Sequence, residues 1–122
     1  MIELGPAIPI LRIFDLAKAG EFYRDFLGFA WDWEHRFEPD LPVYAQVSRA
    51  GLRLHLSEHF GDGTPGTRIR LVTKGLESLH AELAARLYRH ARPGIQSQPW
   101  GWREMAIADP FGNMLVFCEE EG

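Results

Sequence analysis

The same order of predicted elements occurs twice along the chain, and this repeat is the strongest constraint on its fold. Residues 8–58 read as strand, helix, strand, strand, strand, and residues 67–120 read the same way. Gly51 and Gly112 stand at equivalent places before the last strand of each half. A repeat of whole supersecondary units predicts a single domain made of two βαβββ modules. The domain covers residues 1–122, with modules of about residues 6–59 and 66–120.

The first half opens with an apolar stretch that leads into an amphipathic helix. Residues 7–16, AIPILRIFDL, contain Pro9, which has no backbone donor, so this strand is expected at a sheet edge or in an unusual pairing. Asp15 can cap the helix, and Gly28 is a fitting stop. The apolar face of the helix consists of Ala19, Phe22, Tyr23, Phe26 and Leu27. The other predicted strands of this half are residues 29–35, 43–48 and 51–58.

The second half shows the corresponding pattern. A helix is predicted over residues 75–91, ended by Pro93 and Gly94. Its apolar face consists of Leu76, Leu79, Leu83 and Leu87. The predicted strands are residues 67–72, 102–109 and 113–120, and residues 95–100 are compatible with a short strand. Residues 60–66, FGDGTPG, are the most loop-like stretch of the chain.

Residues 55–59 carry the string H-x-x-E-H, which on a helix forms the zinc site of one group of metalloproteases. The leucines of the overlapping stretch LRLHLS alternate with polar residues, however, and a period of two indicates a strand. On a strand, His55 and Glu58 point to opposite faces, so the zinc geometry cannot form. We therefore interpret Glu58 and His59 as solvated residues at the entry of a loop.

Composition limits the classes of function. The net charge of −4 and the pI of about 5.7 do not suggest a nucleic-acid partner. The single cysteine, Cys118, allows no disulfide within the chain and is typical of a reducing cytoplasm. No stretch reaches the ~20 apolar residues that cross a bilayer, and the N-terminus lacks the features of a signal peptide. We therefore expect a cytoplasmic protein with no membrane partner.

Three features together point to one superfamily. The paired modules, the opening ILRIFDLAKAGEFYRDFLGF and the closing DPFGNMLVF resemble the glyoxalase/bleomycin-resistance/extradiol-dioxygenase superfamily, also called vicinal oxygen chelate, over essentially the whole chain. The segment QPWGWREMAIADPFGNMLVF, with Glu104 entering the strand, is similar more narrowly to the bleomycin-resistance proteins. The resemblance implies an α+β fold of two cupped mixed sheets, a homodimer, and an N-terminal arm that crosses to the partner at Pro9.

The resemblance also implies where a metal ion would be held. The ligand positions of the metal-dependent members correspond to Ile8, His55, Arg68 and Val116. Only His55 offers a donor atom, and the cationic Arg68 would repel a divalent ion. Catalytic zinc normally needs three protein ligands, which a lone histidine does not supply. We therefore expect no metal and no cofactor.

Strand alternation assigns side chains to two faces of the predicted sheets. The residues predicted to face the helices are Leu54, Leu56, Ile69, Leu71, Leu115 and Phe117. The residues predicted to face the cup are Ile8, Ile10, Arg12, Arg53, His55, Ser57, Arg68, Arg70, Met114 and Val116. A concave face with aromatic walls and a few polar anchors is typical of a small-molecule site. The predicted ligand-binding residues are Trp33, Phe37, His55, Phe60, Arg68, Arg70, Trp100 and Trp102.

Structural roles for the same residues stay open. Trp31 and Trp33 are expected on one face of their strand, and both can belong to the core. The cup arginines can face solvent beside acidic partners such as Glu104, and His55 can be an ordinary hydrogen-bonded residue. The histidines expected at the surface are His35, His80 and His90.

Two functions from different classes fit this pattern. The first is a metal-free binding protein that sequesters an antibiotic of the bleomycin type, or a similar ligand, in an aromatic-lined cup at the interface of a homodimer. Arg68 and Arg70 occur where an acidic groove would suit bleomycin, and they favour a different, anionic ligand. The second is a metal-dependent enzyme of the glyoxalase or dioxygenase kind that uses His55. A metal-free enzyme with His55 as its base is a further alternative.

Overall fold

The computed structural model describes residues 1–86, 88 and 90–122. The strands within these residues are β1 (Ile10–Arg12), β2 (Ala30–His35), β3 (Tyr44–Arg49), β4 (Leu52–Ser57), β5 (Arg68–Val72), β6 (Ile95–Ser97), β7 (Trp102–Ala108) and β8 (Met114–Glu120). The helices are α1 (Leu16–Ala19), which continues as a π-helical segment over Gly20–Phe26, and α2 (Leu76–Ala84). In the described part of the chain, no helix has the length and apolar character needed to cross a membrane.

Each half of the chain forms one four-stranded mixed sheet with the same strand order. The first sheet runs β1-β4-β3-β2 and the second β5-β8-β7-β6. In each sheet the first strand pairs parallel with the last, which places Ile10 opposite His55 and Arg68 opposite Met114. The other neighbouring strands are antiparallel. The predicted α+β class with two mixed sheets is thus confirmed.

The first strand lies at a sheet edge, as the proline within its sequence predicted. The pairing with β4 extends one residue beyond the N-terminal end of β1, because the carbonyl of Pro9 accepts a hydrogen bond from the backbone N–H of His55 at 2.9 Å. The strand is shorter than the predicted residues 7–16, since proline cannot donate on one side and Asp15 already caps α1 on the other. The cap is a 2.9 Å bond from the N–H of Lys18 to Asp15 Oδ1.

The second helix is also shorter than predicted, because it ends at Ala84 rather than near residue 91. Beyond it, the ring of Tyr88 stacks on Phe26 at a centroid distance of 4.5 Å and meets Phe22 edge-on at 5.8 Å. This packing replaces further helical turns, so tertiary contacts override the local helix propensity. The predicted apolar position at Leu87 lies outside the described residues.

The core lies between the helices and the inner faces of the two sheets. All five residues of the predicted first helix face are buried, and so are Leu76 and Leu83 of α2, while Leu79 is partly buried against the core. The predicted helix-facing strand residues are also buried, except that Ile69 is half-buried. Strand alternation therefore predicted these buried residues correctly, but Ser57 and Val116, which were predicted to face the cup, are buried as well.

A bulge in β2 separates two tryptophans that the sequence places together. Trp31 pairs with Val47, which is buried, whereas Trp33 pairs with Gln46, and the register shifts between the two. The extra residue turns Trp31 toward the core and Trp33 toward the opposite face, beside His55. The prediction that both side chains share one face is wrong, because a bulge breaks the period of two.

The D-P-F-G-N turn joins the two halves of the chain through a buried carboxylate. Asp109 accepts hydrogen bonds from the hydroxyl of Tyr23 at 2.6 Å and from Asn113 Nδ2 at 2.8 Å. The backbone N–H groups of Phe111 and Asn113 donate to its other oxygen, each at 2.8 Å. Asn113 Nδ2 also donates to the backbone carbonyl of Arg12 at 2.8 Å. The turn thereby fixes the first helix and the end of β1 against the second sheet.

Candidate functional site

A pocket of about 410 Å³ opens on the face of the first sheet that carries Trp33 and Tyr44. Its volume lies within the range of small-molecule sites. The side chains that line it are Trp33, His35, Phe37, Tyr44, His59 and Asp62. The rings pack against one another in pairs. Trp33 is stacked on Tyr44 with a centroid distance of 6.2 Å, and Phe37 lies edge-on to His35 with a centroid distance of 4.8 Å. Of the predicted ligand-binding residues, the lining contains Trp33 and Phe37.

The imidazole of His55 lies next to this pocket and uses both of its ring nitrogens. The hydroxyl of Tyr44 is 2.7 Å from Nδ1, and the amide oxygen of Gln46 is 3.0 Å from Nε2. Burial, together with the positive charge of Arg53, lowers the pKa of His55 below that of a free imidazole. At neutral pH the ring is therefore uncharged and holds two protein partners. Binding a metal or acting as a base would require His55 to give up one of these bonds.

The residues at the four predicted metal positions offer a metal ion too few ligands. The side chain of Val116 is buried and apolar, Arg68 is exposed and cationic, and Ile8 has no donor atom. Among residues 1–86, 88 and 90–122, no three His, Cys, Asp or Glu side chains come together in a way that could hold a metal. Three metal ligands are thus not assembled around His55 within the described residues.

Arg70 of the second sheet is already paired with an acidic residue. Its guanidinium donates to Glu104 at 2.6 Å, and the Glu104 side chain is only 7% exposed against 47% for Arg70. The guanidinium also lies over the ring of Trp102, 5.7 Å from its centroid. The alternative that a cup arginine pairs with Glu104 is therefore the one observed for Arg70. Its charge is compensated before any ligand arrives, which weakens the argument for an anionic ligand.

The other predicted ligand-binding residues lie away from the pocket lining. Phe60 is 97% exposed in the loop after β4, Trp100 is exposed in the turn before β7, and Trp102 is half-buried on the second sheet. Arg68 is exposed on β5. Within one chain, these side chains are not part of the pocket lining that contains Trp33 and Phe37.

Several residues of the site were not among the predicted ligand-binding residues. Along β3, Tyr44 and Gln46 alternate with the buried Ala45 and Val47, so their side chains lie on the other face of the sheet. The period of two was thus a signal that could have found them. Asp62 lies in the glycine-rich loop, where no periodicity points to a pocket.

The remaining histidines and Glu58 partly depart from the surface positions predicted for them. His35 is exposed and lines the pocket, and His90 is exposed. His80 is half-buried, and its Nε2 lies 3.2 Å from the backbone carbonyl oxygen of Pro93. Glu58 and His59 follow β4 at the entry of a loop, as predicted, but both are only partly exposed. Glu58 accepts a hydrogen bond from the N–H of Val43 at 3.0 Å, which joins the end of β4 to the loop before β3.

Solved structures resemble the chain over its whole length. The bleomycin-binding protein from bleomycin-producing Streptomyces verticillus, determined with copper(II)-bleomycin, is 28% identical, with 100% of this chain and 99% of that chain covered and a TM-score of 0.69. The bleomycin resistance determinant encoded on transposon Tn5 is 20% identical, with 98% and 100% covered and a TM-score of 0.74. A glyoxalase-related enzyme from Clostridium phytofermentans is 20% identical, with 98% and 97% covered and a TM-score of 0.72. The latter two likenesses show the shared fold.

No curated protein matches the chain in sequence. A family model described as glyoxalase superfamily protein matches residues 1–122, which is the full sequence. Together with the paired mixed sheets, this match shows that the chain belongs to the glyoxalase superfamily.

Proposed function

We propose that the protein binds and sequesters a small planar or glycopeptide antibiotic of the bleomycin type, or a chemically similar ligand, without transforming it. The observation that carries this proposal is the aromatic pocket beside a histidine whose two ring nitrogens are both occupied. Such a site offers stacking surfaces and hydrogen bonds, and His55 could act as a base only by giving up one of its two bonds. The 28% identity with a bleomycin-binding protein supports the same class of function. With its single cysteine buried, we further propose that the protein acts in the cytoplasm.

Trp33→Ala is expected to weaken ligand binding by about 1–3 kcal/mol, because Trp33 forms one wall of the pocket and is a candidate stacking surface. Calorimetric titration with bleomycin, with and without copper(II), measures the change. Phe60→Ala serves as the matched control, since it removes another large ring that is 97% exposed and outside the pocket lining. Equal loss of affinity in both variants would show that the ligand does not occupy this pocket. Expression in a bleomycin-sensitive host then tests whether the binding confers protection.

Purified protein is expected to contain less than about 0.2 equivalents of zinc, nickel, manganese or iron. The reason is the donor set, in which Ile8, Arg68 and Val116 replace three of the four superfamily ligands. Elemental analysis by mass spectrometry, with the dialysis buffer as blank, measures the content. Stoichiometric metal that disappears in His55→Gln would overturn the binding-protein proposal and favour an enzyme.

We also propose a homodimer of about 28 kDa, twice the chain mass of 13.9 kDa. Apolar side chains that one chain leaves exposed support it: Met1, Ile2 and Leu4 in the N-terminal arm, and Val72 on the edge strand β5, which is 77% exposed. Light scattering measures the mass, and deletion of residues 1–8 is expected to shift the population toward monomer. A stable monomer of the intact chain at micromolar concentration would contradict the proposal.

A further inference from the structure

A chain of hydrogen bonds with a fixed direction ends at the pocket. It begins at Asp32, whose carboxylate accepts from Gln46 Nε2 and from Ser48 Oγ, each at 3.0 Å. These two bonds lower the pKa of Asp32, so the carboxylate stays ionised and can only accept. The amide of Gln46 must therefore turn its nitrogen to Asp32 and its oxygen to His55.

The orientation of Gln46 determines the tautomer of His55. Because an amide oxygen can only accept, the proton of the neutral imidazole lies on Nε2, 3.0 Å from Gln46 Oε1. Nδ1 then has a lone pair, and the hydroxyl of Tyr44 donates to it at 2.7 Å. With its only proton committed to His55, the oxygen of Tyr44 presents lone pairs to any further partner. Tyr44 also lines the pocket, so a hydrogen-bond acceptor is available there.

The carboxylate of Asp62 lines the same pocket. One of its oxygens accepts a hydrogen bond from the hydroxyl of Ser57 at 2.9 Å, which holds the loop residue against the end of β4. Burial, with the negative charge of Asp62 as the second cause, raises the pKa of Tyr44. The negative charge of Asp62 therefore acts at the Tyr44 oxygen, and the described lining residues include no lysine or arginine to offset it.

We infer that this pocket binds a planar organic cation that donates hydrogen bonds, an amidinium or a guanidinium. Its flat face stacks on Trp33, while its N–H groups donate to Tyr44 Oη and to the carboxylate of Asp62. The buried Nε2 of His59, which has no partner within the described residues, is available for one further hydrogen bond. An anion would meet lone pairs and a negative charge instead. This inference rests on the proposed binding function and specifies the chemical class of the group that is bound.

Three ligands of nearly the same shape test the charge requirement: benzamidine, which is cationic at neutral pH, benzamide, which is neutral, and benzoate, which is an anion. Titrations followed by tryptophan fluorescence and by amide chemical shifts in nuclear magnetic resonance give the affinities. We expect benzamidine to bind at least about tenfold more tightly than benzamide, and benzoate not to bind.

Two variants locate the effect in the pocket. Asp62→Asn and Tyr44→Phe are each expected to weaken benzamidine binding about five- to tenfold and to leave benzamide affinity within about twofold. Asp25→Asn is the charge-matched control, because Asp25 is an exposed helix residue paired with Arg24 and lies outside the pocket lining. It removes the same unit of charge and is expected to change neither affinity.

Equal affinity for benzamide and benzamidine, binding of benzoate, or no binding of any of the three would overturn the inference. So would a loss in Asp25→Asn equal to that in Asp62→Asn, since the effect would then be a general one of net charge. Bleomycin titration is independent of these results. Bleomycin binding with no preference for benzamidine would leave the proposed function standing and reject only the cation site.

Discussion

Asp109→Ala is expected to lower the free energy of unfolding by about 3–5 kcal/mol. The substitution removes the acceptor of two side-chain and two backbone hydrogen bonds and leaves the buried hydroxyl of Tyr23 without its partner. For a chain of this size, that loss corresponds to a melting temperature lower by roughly 10–20 °C. Urea and thermal unfolding followed by circular dichroism measure both quantities.

Two further variants separate the contributions of this network. Tyr23→Phe removes only the bond from the first helix to Asp109 and is expected to cost about 1–2 kcal/mol. Asp40→Ala, an exposed loop position, is expected to change stability by less than about 0.5 kcal/mol. A cost below about 1 kcal/mol for Asp109→Ala would show that the turn is not a principal link between the halves.

Gly63→Ala is expected to destabilise the protein by about 2–4 kcal/mol and to weaken ligand binding as well. Gly63 has a φ of +69°, and a Cβ there would lie 2.8 Å from the backbone oxygen of Ile10 and 3.3 Å from the N of Arg12. Backbone atoms of a paired strand cannot move aside cheaply, so the loop must shift. Because Asp62 is the preceding residue, the shift displaces a pocket carboxylate.

Gly61→Ala provides the matched control for this prediction. Gly61 also has a positive φ, +95°, but a Cβ there meets nothing within 4 Å. Its substitution is expected to cost only the conformational strain, about 1–2 kcal/mol, and to leave affinity nearly unchanged. Chemical denaturation and calorimetric titration of both variants give the comparison. Equal stability and affinity in the two variants would mean that the contact with Ile10 does not position the loop.

Much of the fold was predictable because the sequence repeats a physical pattern. Leu54 and Leu56 alternate with Arg53 and His55, and this period distinguished a strand from the zinc-binding helix that H-x-x-E-H alone suggests. The same alternation identified the inner faces of β5 and β8. The limits of α2 were less predictable, since Tyr88 packs on Phe26 where local propensity favours more helix.

The site was less predictable, for three separate reasons. The bulge between Trp31 and Trp33 places their side chains on opposite faces of β2, and a pattern with a period of two cannot reveal the extra residue. The partners of His55 depend on register across β3, which only long-range pairing decides. Asp62 lies in a loop that passes close to β1 at Gly63, and no local sequence pattern reveals this long-range approach. Glu104 was identified as a potential partner for the cup arginines, and the structure pairs it with Arg70 on the second sheet.

The parallel pairing of the first strand with the last has a consequence for synthesis on the ribosome. In both sheets, the strand that lies between the parallel edge and the antiparallel hairpin is the last of its half to be made: β4 in one and β8 in the other. A growing chain therefore exposes β1 as an unpaired edge until residue 57 has been added, and β5 until β8 follows. Each sheet can therefore be completed only when its last strand becomes available. The nascent chain is most exposed to aggregation just before each of these strands emerges.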